Sequence, residues 1–523
     1  MSHLLKSTFI VMFLAGVSKL MGLLRETTMA SAYGVSDVMD AFLVAILLPQ
    51  FMSSLMQSGV LKAFVSLYHE TDSERGPQAA GSFTKTLLCL TFGFGVVLYM
   101  TLDSLSAQLL HLVAPGFTEE KLRLTSSLLN VMMPCFIFMA STDILSAYQQ
   151  AKGSFTYSTS GPIVLNITTV LMVILLANAQ GIYAAATAYL ISAIVQFFVQ
   201  VYGSYKCGLW SYLKFELNLQ DSRKFAVLIM PILAGIAFSQ ANTLIDRFFA
   251  SWLPEGSISA LNYSYKVHWL VIAFFVVPFS TAFFPALAEL YNRERTLFQA
   301  KVRRLASLLM FIALPISVLA IILSHPIISV IYQRGAFHAS DVTTTSEVLV
   351  CYLIGLVFQV LVILLLDVAY VMQKSKLVFT VVVIMAISNA TFNYLVVDKF
   401  AAPGLAVSTS VSQLIGCILL YTVLVLRYKV FDFHFLVSEL AKVAGLCIVP
   451  GLLTAGWRYL TVAYGIKPYI SLAVGAAIFG STFFITALLS KRPEISDIID
   501  LIQKRPIYNQ VKTFLRLGGL SCY

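Results

Sequence analysis

The chemistry-bearing residues of this chain concentrate first between Gly16 and Ser58, where two apolar segments flank a short polar turn, Tyr33 to Asp37. Lys19, Arg25 and Glu26 lie on the first segment and Asp40 opens the second. A charged side chain at the centre of a membrane helix costs about 2.5–3.5 kcal/mol on insertion scales, so it faces a cavity or a partner. Further along, Asp246, Arg247 and Lys266 repeat the pattern. Lys19 sits mid-segment, too deep to snorkel, and Lys266 lies about 14 Å from the outer end of its segment at 1.5 Å per residue. Cations at such depth suit one task above all, holding an anionic ligand inside the bilayer. The plainer reading is pairing between helices for packing, or, for Arg25, Glu26, Asp246 and Arg247 nearer the outer ends of their helices, snorkelling to the interface. Neighbours on a helix point about 100° apart, which predicts that neither Arg25–Glu26 nor Asp246–Arg247 satisfies itself. Asp143 and Asp367, deep in later segments, are the expected partners of the lysines.

Bond-making chemistry has no comparable signal. The chain lacks GxSxG, HExxH and P-loop strings. Of seven histidines only His111 and His268 fall well inside apolar segments, where helix–helix hydrogen bonding accounts for them. The seven cysteines share no metal-ligand or CxxC spacing and read as small apolar packing residues. The expectation is a protein that is not an enzyme.

These residues need helices that cross a membrane to position them. The 523 residues are 59% hydrophobic and 11% charged, with mean hydropathy +0.84, against about 25% charged residues in soluble proteins. The class is an all-α polytopic membrane protein. With about 20 apolar residues per span, fourteen candidates emerge: 8–32, 38–66, 83–113, 125–149, 161–179, 182–205, 225–252, 257–288, 305–332, 342–372, 377–397, 402–426, 438–462 and 467–489. The first has poor signal-peptide grammar, because three charges separate its apolar run from Ala30-Ser31-Ala32. The net charge of +10 comes from short loops. With both ends on one side, that side holds 24 Lys and Arg against 6 on the other, which predicts cytoplasmic termini. Contact with anionic lipid headgroups, and not nucleic acid, explains the charge. Segments 289–304 and 494–502 mix basic and apolar residues and read as helices on the inner leaflet surface.

A shift of about 220 residues lays the first six spans on the next six. Arg25-Glu26 then meets Asp246-Arg247, Pro115-Gly116-Phe117 meets Gly335-Ala336-Phe337, and Asn166 meets Asn389. Six spans per repeat make the repeats parallel, about an axis along the membrane normal. The predicted organisation is an N-lobe over 1–215, a C-lobe over 216–430, two additional helices over 431–490 and a cytoplasmic tail over 491–523.

Specific strings carry a family resemblance. Ser18-Lys19-Leu20-Met21-Gly22-Leu23-Leu24-Arg25-Glu26, then Asp40-Ala41-Phe42 with Leu48-Pro49, then Asp246-Arg247-Phe248-Phe249-Ala250-Ser251 with Gly256-Ser257 and Leu261-Asn262-Tyr263, and Gly335-Ala336-Phe337, are similar to the MurJ (MviN) family of lipid II flippases. That family lies within the multidrug/oligosaccharidyl-lipid/polysaccharide exporter superfamily. The resemblance covers essentially the whole chain. The departures are Lys19 and Lys266 in place of arginines, Ser53 in place of an arginine and Ser58 in place of a glutamate. Lysine keeps the charge but loses the bidentate fork that matches phosphate oxygens.

The resemblance implies a flippase that moves a lipid-linked diphosphate saccharide, lipid II, from the inner to the outer leaflet of the bacterial cytoplasmic membrane by alternating access. Lys19, Arg25, Glu26, Asp40, Arg247 and Lys266 would contact the headgroup. The polyprenyl tail would run in lipid along spans 13 and 14, and cell-wall synthesis machinery would be a partner. The resemblance further implies a Na⁺ site built from Asp246, Asn389, Asn393, Thr409 and the Leu405 carbonyl, with no other cofactor. Two other readings stand beside it: a superfamily transporter of another lipid-linked glycan or of a drug, and a non-transporting paralogue.

Overall fold

A helix satisfies all its backbone hydrogen bonds internally, which a lipid environment demands, and every regular element among the described residues is helical. The computed structural model describes residues 2–211, 218–492 and 494–495. Each of the fourteen stretches expected to span is helical there. Among the described residues nine helices are long and apolar enough to cross a membrane, or eleven if two bent pairs each count once. Two of the nine runs need closer reading. α3 (Leu47–Val113) is two helices merged across Gly76, with φ +81° and Pro77 next to it. Ser375–Leu426, the fifteenth helix of the chain, is likewise two joined at Ala401.

By Cα proximity the chain divides into two compact units, Met1–Ser259 with Arg334–His338, and Ala260–Gln333 with Ala339–Tyr523. The first unit holds α1 (Ser2–Tyr33), α2 (Asp37–Ala45), α3, α4 (Glu119–Met132), α5 (Cys135–Ala151), α6 (Thr156–Gln180), α7 (Tyr183–Lys206) and α8 (Leu219–Ala250). Its core stacks Phe64 on Phe83 at 5.5 Å and sets Tyr68 edge-on to Tyr148 at 5.6 Å. α9 (Ser257–Phe275) starts in this unit and runs on in the second. The second unit continues with α10 (Val277–Arg293), α11 (Arg295–Ile322), α12 (Ser324–Tyr332), α13 (Ala339–Ile354), α14 (Leu356–Val371), α15 (Ser375–Leu426), α16 (Phe435–Ala463) and α17 (Pro468–Leu489).

Several expected spans are broken in the middle, for reasons legible in the residues. The α2/α3 break falls at Ile46, three residues before Pro49, and the α4/α5 break at Met133-Pro134. The α9/α10 break falls at Val276 before Pro278, with a bend of 40°. Proline lacks the N–H and crowds the carbonyl four residues back, so the helix yields there. The α13/α14 break, a 43° bend, has glycine instead. There Ser410 packs against Gly355, and its Oγ donates to the Cys351 carbonyl at 2.7 Å, repairing a bond the bend opened. Spans 2 and 8, and spans 4 and 10, are thus broken in both halves of the expected repeat.

The stretch 289–304 departs from the expectation of a separate surface helix. It is the end of α10 and the start of α11, divided at Glu294, whose backbone turns extended (φ −149°, ψ 98°). The apolar residues meant for a lipid surface are used within the fold, where Phe298 and Val302 are buried. Of the tail helix expected over 494–502, Glu494 and Ile495 are helical and the remainder lies outside the described residues.

Candidate functional site

In the first unit α1 carries Lys19, Arg25 and Glu26 along one length of helix. Lys19 is half-buried. Beside it α6 packs on α1, and Asn166 Nδ2 donates to the Ser18 carbonyl at 3.4 Å. Arg25 and Glu26 correct the expectation that neighbours leave each other unsatisfied. Arg25 Nη2 donates to Glu26 Oε1 at 2.6 Å, with side-chain exposures of 20% and 10%. The 100° between Cβ directions is bridged because both side chains are long and flexible beyond Cβ.

Asp40 is the most heavily used of the expected site residues. It is buried, and Oδ1 accepts from Ser259 N at 2.7 Å and Ser259 Oγ at 2.6 Å. Oδ2 accepts from Gly256 N at 2.8 Å and Lys121 Nζ at 3.4 Å. The carboxylate therefore supplies acceptors to the orphan amides at the start of α9, a capping arrangement made by a residue more than two hundred positions away. Lys121 also pairs with Asp37 and lies 4.1 Å from the Phe117 ring centroid. Gly256 has φ +80°, and a Cβ there would come within 2.6 Å of Val35 Cγ1, so glycine is what lets this turn approach α2. The segment Arg334–His338 joins the same unit, with Ala336 N donating to the Ser31 carbonyl at 2.8 Å.

Asp246 and Arg247 lie on α8, both half-buried, and Arg247 Nη1 donates to the Ile258 carbonyl at 3.1 Å. Two further residues correct an expectation. Asp367 accepts from Ser280 Oγ rather than from a lysine, in a crevice lined by Phe279, Phe283 and Leu305. Asp143 Oδ2 is buried with no hydrogen-bond partner among the described residues. Periodicity alone does not reveal that the Asp367 face meets a hydroxyl and apolar side chains.

In the second unit Lys266 stands half-buried on α9. Four of the five expected cation ligands meet within α15. Asn393 Nδ2 donates to Asn389 Oδ1 at 3.1 Å, Asn389 Nδ2 donates to Thr409 Oγ1 at 3.4 Å, and Thr409 Oγ1 donates to the Leu405 carbonyl at 3.1 Å. The set is made of hard, neutral oxygens, which fits a monovalent cation better than a divalent one. Asp246 belongs to the first unit. Among the described residues no group of three or more His, Cys, Asp or Glu side chains forms a metal cluster.

Two polar clusters had no usable signal in the sequence. Asp221, fully buried at the start of α8, accepts through Oδ2 from Thr71 Oγ1 at 3.2 Å, Asn218 Nδ2 at 2.7 Å and Arg75. Ser307 donates towards both Glu439 Oε2, at 3.0 Å, and Glu494, while Arg492 Nη2 donates to Glu439 Oε2 at 3.0 Å. Their members come from separate helices, and only the fold brings them into contact.

The comparisons with known proteins agree with one another. The profile of the family described as "Lipid II flippase MurJ" matches residues 29–475. A Rickettsia prowazekii (strain Madrid E) protein named "Probable lipid II flippase MurJ" is 26% identical over 503 residues, covering 93% of this chain and 98% of that protein. The "Lipid II flippase MurJ" of Burkholderia cenocepacia is 23% identical over 415 residues, covering 77% and 80%. Among solved structures, "Lipid II flippase MurJ, inward closed conformation" superposes with TM-score 0.77 over 92% of this chain and all of that one, at 23% identity. An inward-facing MATE family multidrug resistance transporter follows at TM-score 0.65 and 12% identity, covering 84% and 98%. Both structures speak to the fold.

Proposed function

The chain belongs to the lipid II flippase MurJ family, and from that membership we propose how its own residues carry the transport. The protein is a multi-pass flippase of lipid II in the bacterial inner membrane. Its headgroup carries a diphosphate, whose burial without partners would be prohibitive. Lys19 and Arg25 on α1 and Lys266 on α9 neutralise that diphosphate during passage. What supports this reading is that Lys19 and Lys266 stand half-buried in the middle of apolar helical segments, where a cation needs an anionic partner.

The Arg25–Glu26 pair gives the site a resting state. Glu26 occupies the guanidinium when no substrate is present, and a diphosphate, with more charge and more acceptors, displaces it. Arg247 adds charge from α8. We place Asp40 among the positioning residues, because its carboxylate is committed to Gly256, Ser259 and Lys121. Both termini lie in the cytoplasm, the two six-helix repeats alternate access, and α16 and α17 line the path of the polyprenyl tail. A Na⁺ bound by Asp246, Asn389, Asn393, Leu405 and Thr409 couples the cycle to the ion gradient. Cell-wall synthesis machinery receives the flipped product.

The test is complementation of a bacterium depleted of its own lipid II flippase, with expression monitored in parallel. Lys19→Ala and Arg25→Ala abolish growth support at normal expression, and Lys19→Arg retains it. Normal complementation by both alanine variants would refute the cationic site.

A further inference from the structure

The face of α9 that carries Lys266 also carries exposed aromatic side chains. Asn262, Tyr265, Lys266 and Trp269 stand at i, i+3, i+4 and i+7, the spacing of one helical stripe. At 100° per residue Trp269 falls between Tyr265 and Lys266 around the helix. The Tyr265 and Trp269 rings lie within 20° of parallel, with centroids 6.3 Å apart. They are 39% and 41% exposed. The ring of His268, itself buried, backs Tyr265 at 6.1 Å and is held by Gln359 Oε1 at 2.6 Å. Tyr352 meets Tyr265 edge-on at 5.6 Å. The tyrosine ring is thus set in place from behind, and it and Trp269 keep part of their surface exposed.

Two observations exclude the ordinary explanations for exposed aromatics in a membrane protein. Counted from Ser257, Tyr265 and Trp269 lie about 12 and 18 Å along the helix, near the middle of a hydrocarbon core of about 30 Å. They are therefore too deep for the interfacial aromatic belt. The stripe also contains a lysine, which a lipid-facing surface at that depth would not tolerate. Asn262 supplies the independent sign of a ligand. It is 9% exposed, and its Nδ2 is buried with no hydrogen-bond partner among the described residues. A buried amide donor left without an acceptor costs about 1–3 kcal/mol, a cost that a ligand hydroxyl or carbonyl removes.

We infer that Asn262, Tyr265 and Trp269 form a saccharide subsite, in which the two rings stack against the apolar face of a pyranose and Asn262 Nδ2 donates to one of its oxygens. The reading rests on the flippase function proposed above and specifies which part of the cargo α9 recognises. Trp269 is about 4.5 Å along the helix axis from Lys266. That separation lets one ligand place its phosphate on the lysine and the sugar bonded to that phosphate on the rings. Aromatic rings suit this task because they offer a flat apolar face at little cost in side-chain entropy, and Tyr and Trp keep a polar edge for hydroxyls.

The experiment is equilibrium binding to the purified full-length protein by native mass spectrometry, with two ligands, lipid II and undecaprenyl diphosphate without sugars. Tyr265→Ala and Trp269→Ala are each expected to weaken lipid II binding about threefold to tenfold and leave undecaprenyl diphosphate unchanged. Trp269→Phe, which preserves the packing, retains most lipid II affinity, and Lys266→Ala weakens both ligands. The subsite is overturned if the alanine variants bind lipid II as the wild type does, or if they lose both ligands equally. If the wild type binds neither ligand, the flippase reading falls and the subsite with it.

Discussion

Replacing Asp40 by alanine tests the tertiary logic of the first unit most directly. The carboxylate is 1% exposed and accepts from two backbone amides, one hydroxyl and one ammonium. Hydrogen bonds to a charged group are worth about 1.5–3 kcal/mol each, and leaving buried donors unsatisfied costs on the same scale. Taking the lower figure for the Gly256 and Ser259 amides and about 1 kcal/mol for the hydroxyl gives a loss of about 4 kcal/mol. Lys121 adds little to the loss because Asp37 remains as its partner. Asp40→Asn is expected to cost about half as much, since Oδ1 still accepts from Ser259 while the new amide faces the Gly256 N–H. Asp37→Ala is the control. Its side chain is 39% exposed and its ion-pair partner is Lys121, which retains Asp40, so it should cost under about 1 kcal/mol. The assay is detergent-titrated unfolding together with hydrogen–deuterium exchange at the 256–259 amides. Faster exchange at those amides in Asp40→Ala, and normal exchange in Asp37→Ala, is the expected pattern. Equal stability losses in the two variants, or unchanged exchange in Asp40→Ala, would refute the capping argument.

Three more outcomes follow from the geometry and the charge pattern. Na⁺, and not K⁺, should raise the melting temperature of the purified protein, and Asp246→Asn should remove the response; identical effects of the two ions would eliminate the site. Cysteines introduced at Glu119 and Glu74, both exposed, should label in opposite fashion with an impermeant thiol reagent in intact cells, the first reacting and the second not; the reverse would invert the orientation. Arg492→Ala should cost about 3–5 kcal/mol, because among the described residues it leaves Glu494, 5% exposed, without a cation, and Glu439, 11% exposed, with Lys442 Nζ at 2.7 Å as its one remaining cation. A loss under about 1 kcal/mol, measured by the same unfolding titration, would show that Lys442 alone suffices.

What could be read from the chain alone follows from strong local rules. Apolar runs of span length, with basic residues in the short loops, specify a polytopic helical protein because lipid offers the backbone no hydrogen bonds and charged loops resist translocation. The breaks beside the prolines at 49, 134 and 278 are not legible in the same way, because Pro162, Pro315 and Pro450 lie inside unbroken helices and the packing decides which proline bends its helix. Lys19 and Lys266 draw attention in the sequence because charge inside an apolar segment needs a reason. Pairing is another matter, because it depends on which helix face meets which. Glu26 holds its neighbour Arg25 although their Cβ directions diverge. Asp40, expected against the headgroup, caps α9 through amides at Gly256 and Ser259. The cluster of Ser307, Glu439, Arg492 and Glu494 draws on α11, α16 and the residues after α17. Periodicity says that a side chain lies on a face. Only packed helices decide whether that face meets a carboxylate, an amide or a sugar, since side-chain contacts form over a few ångströms between residues the chain separates by hundreds.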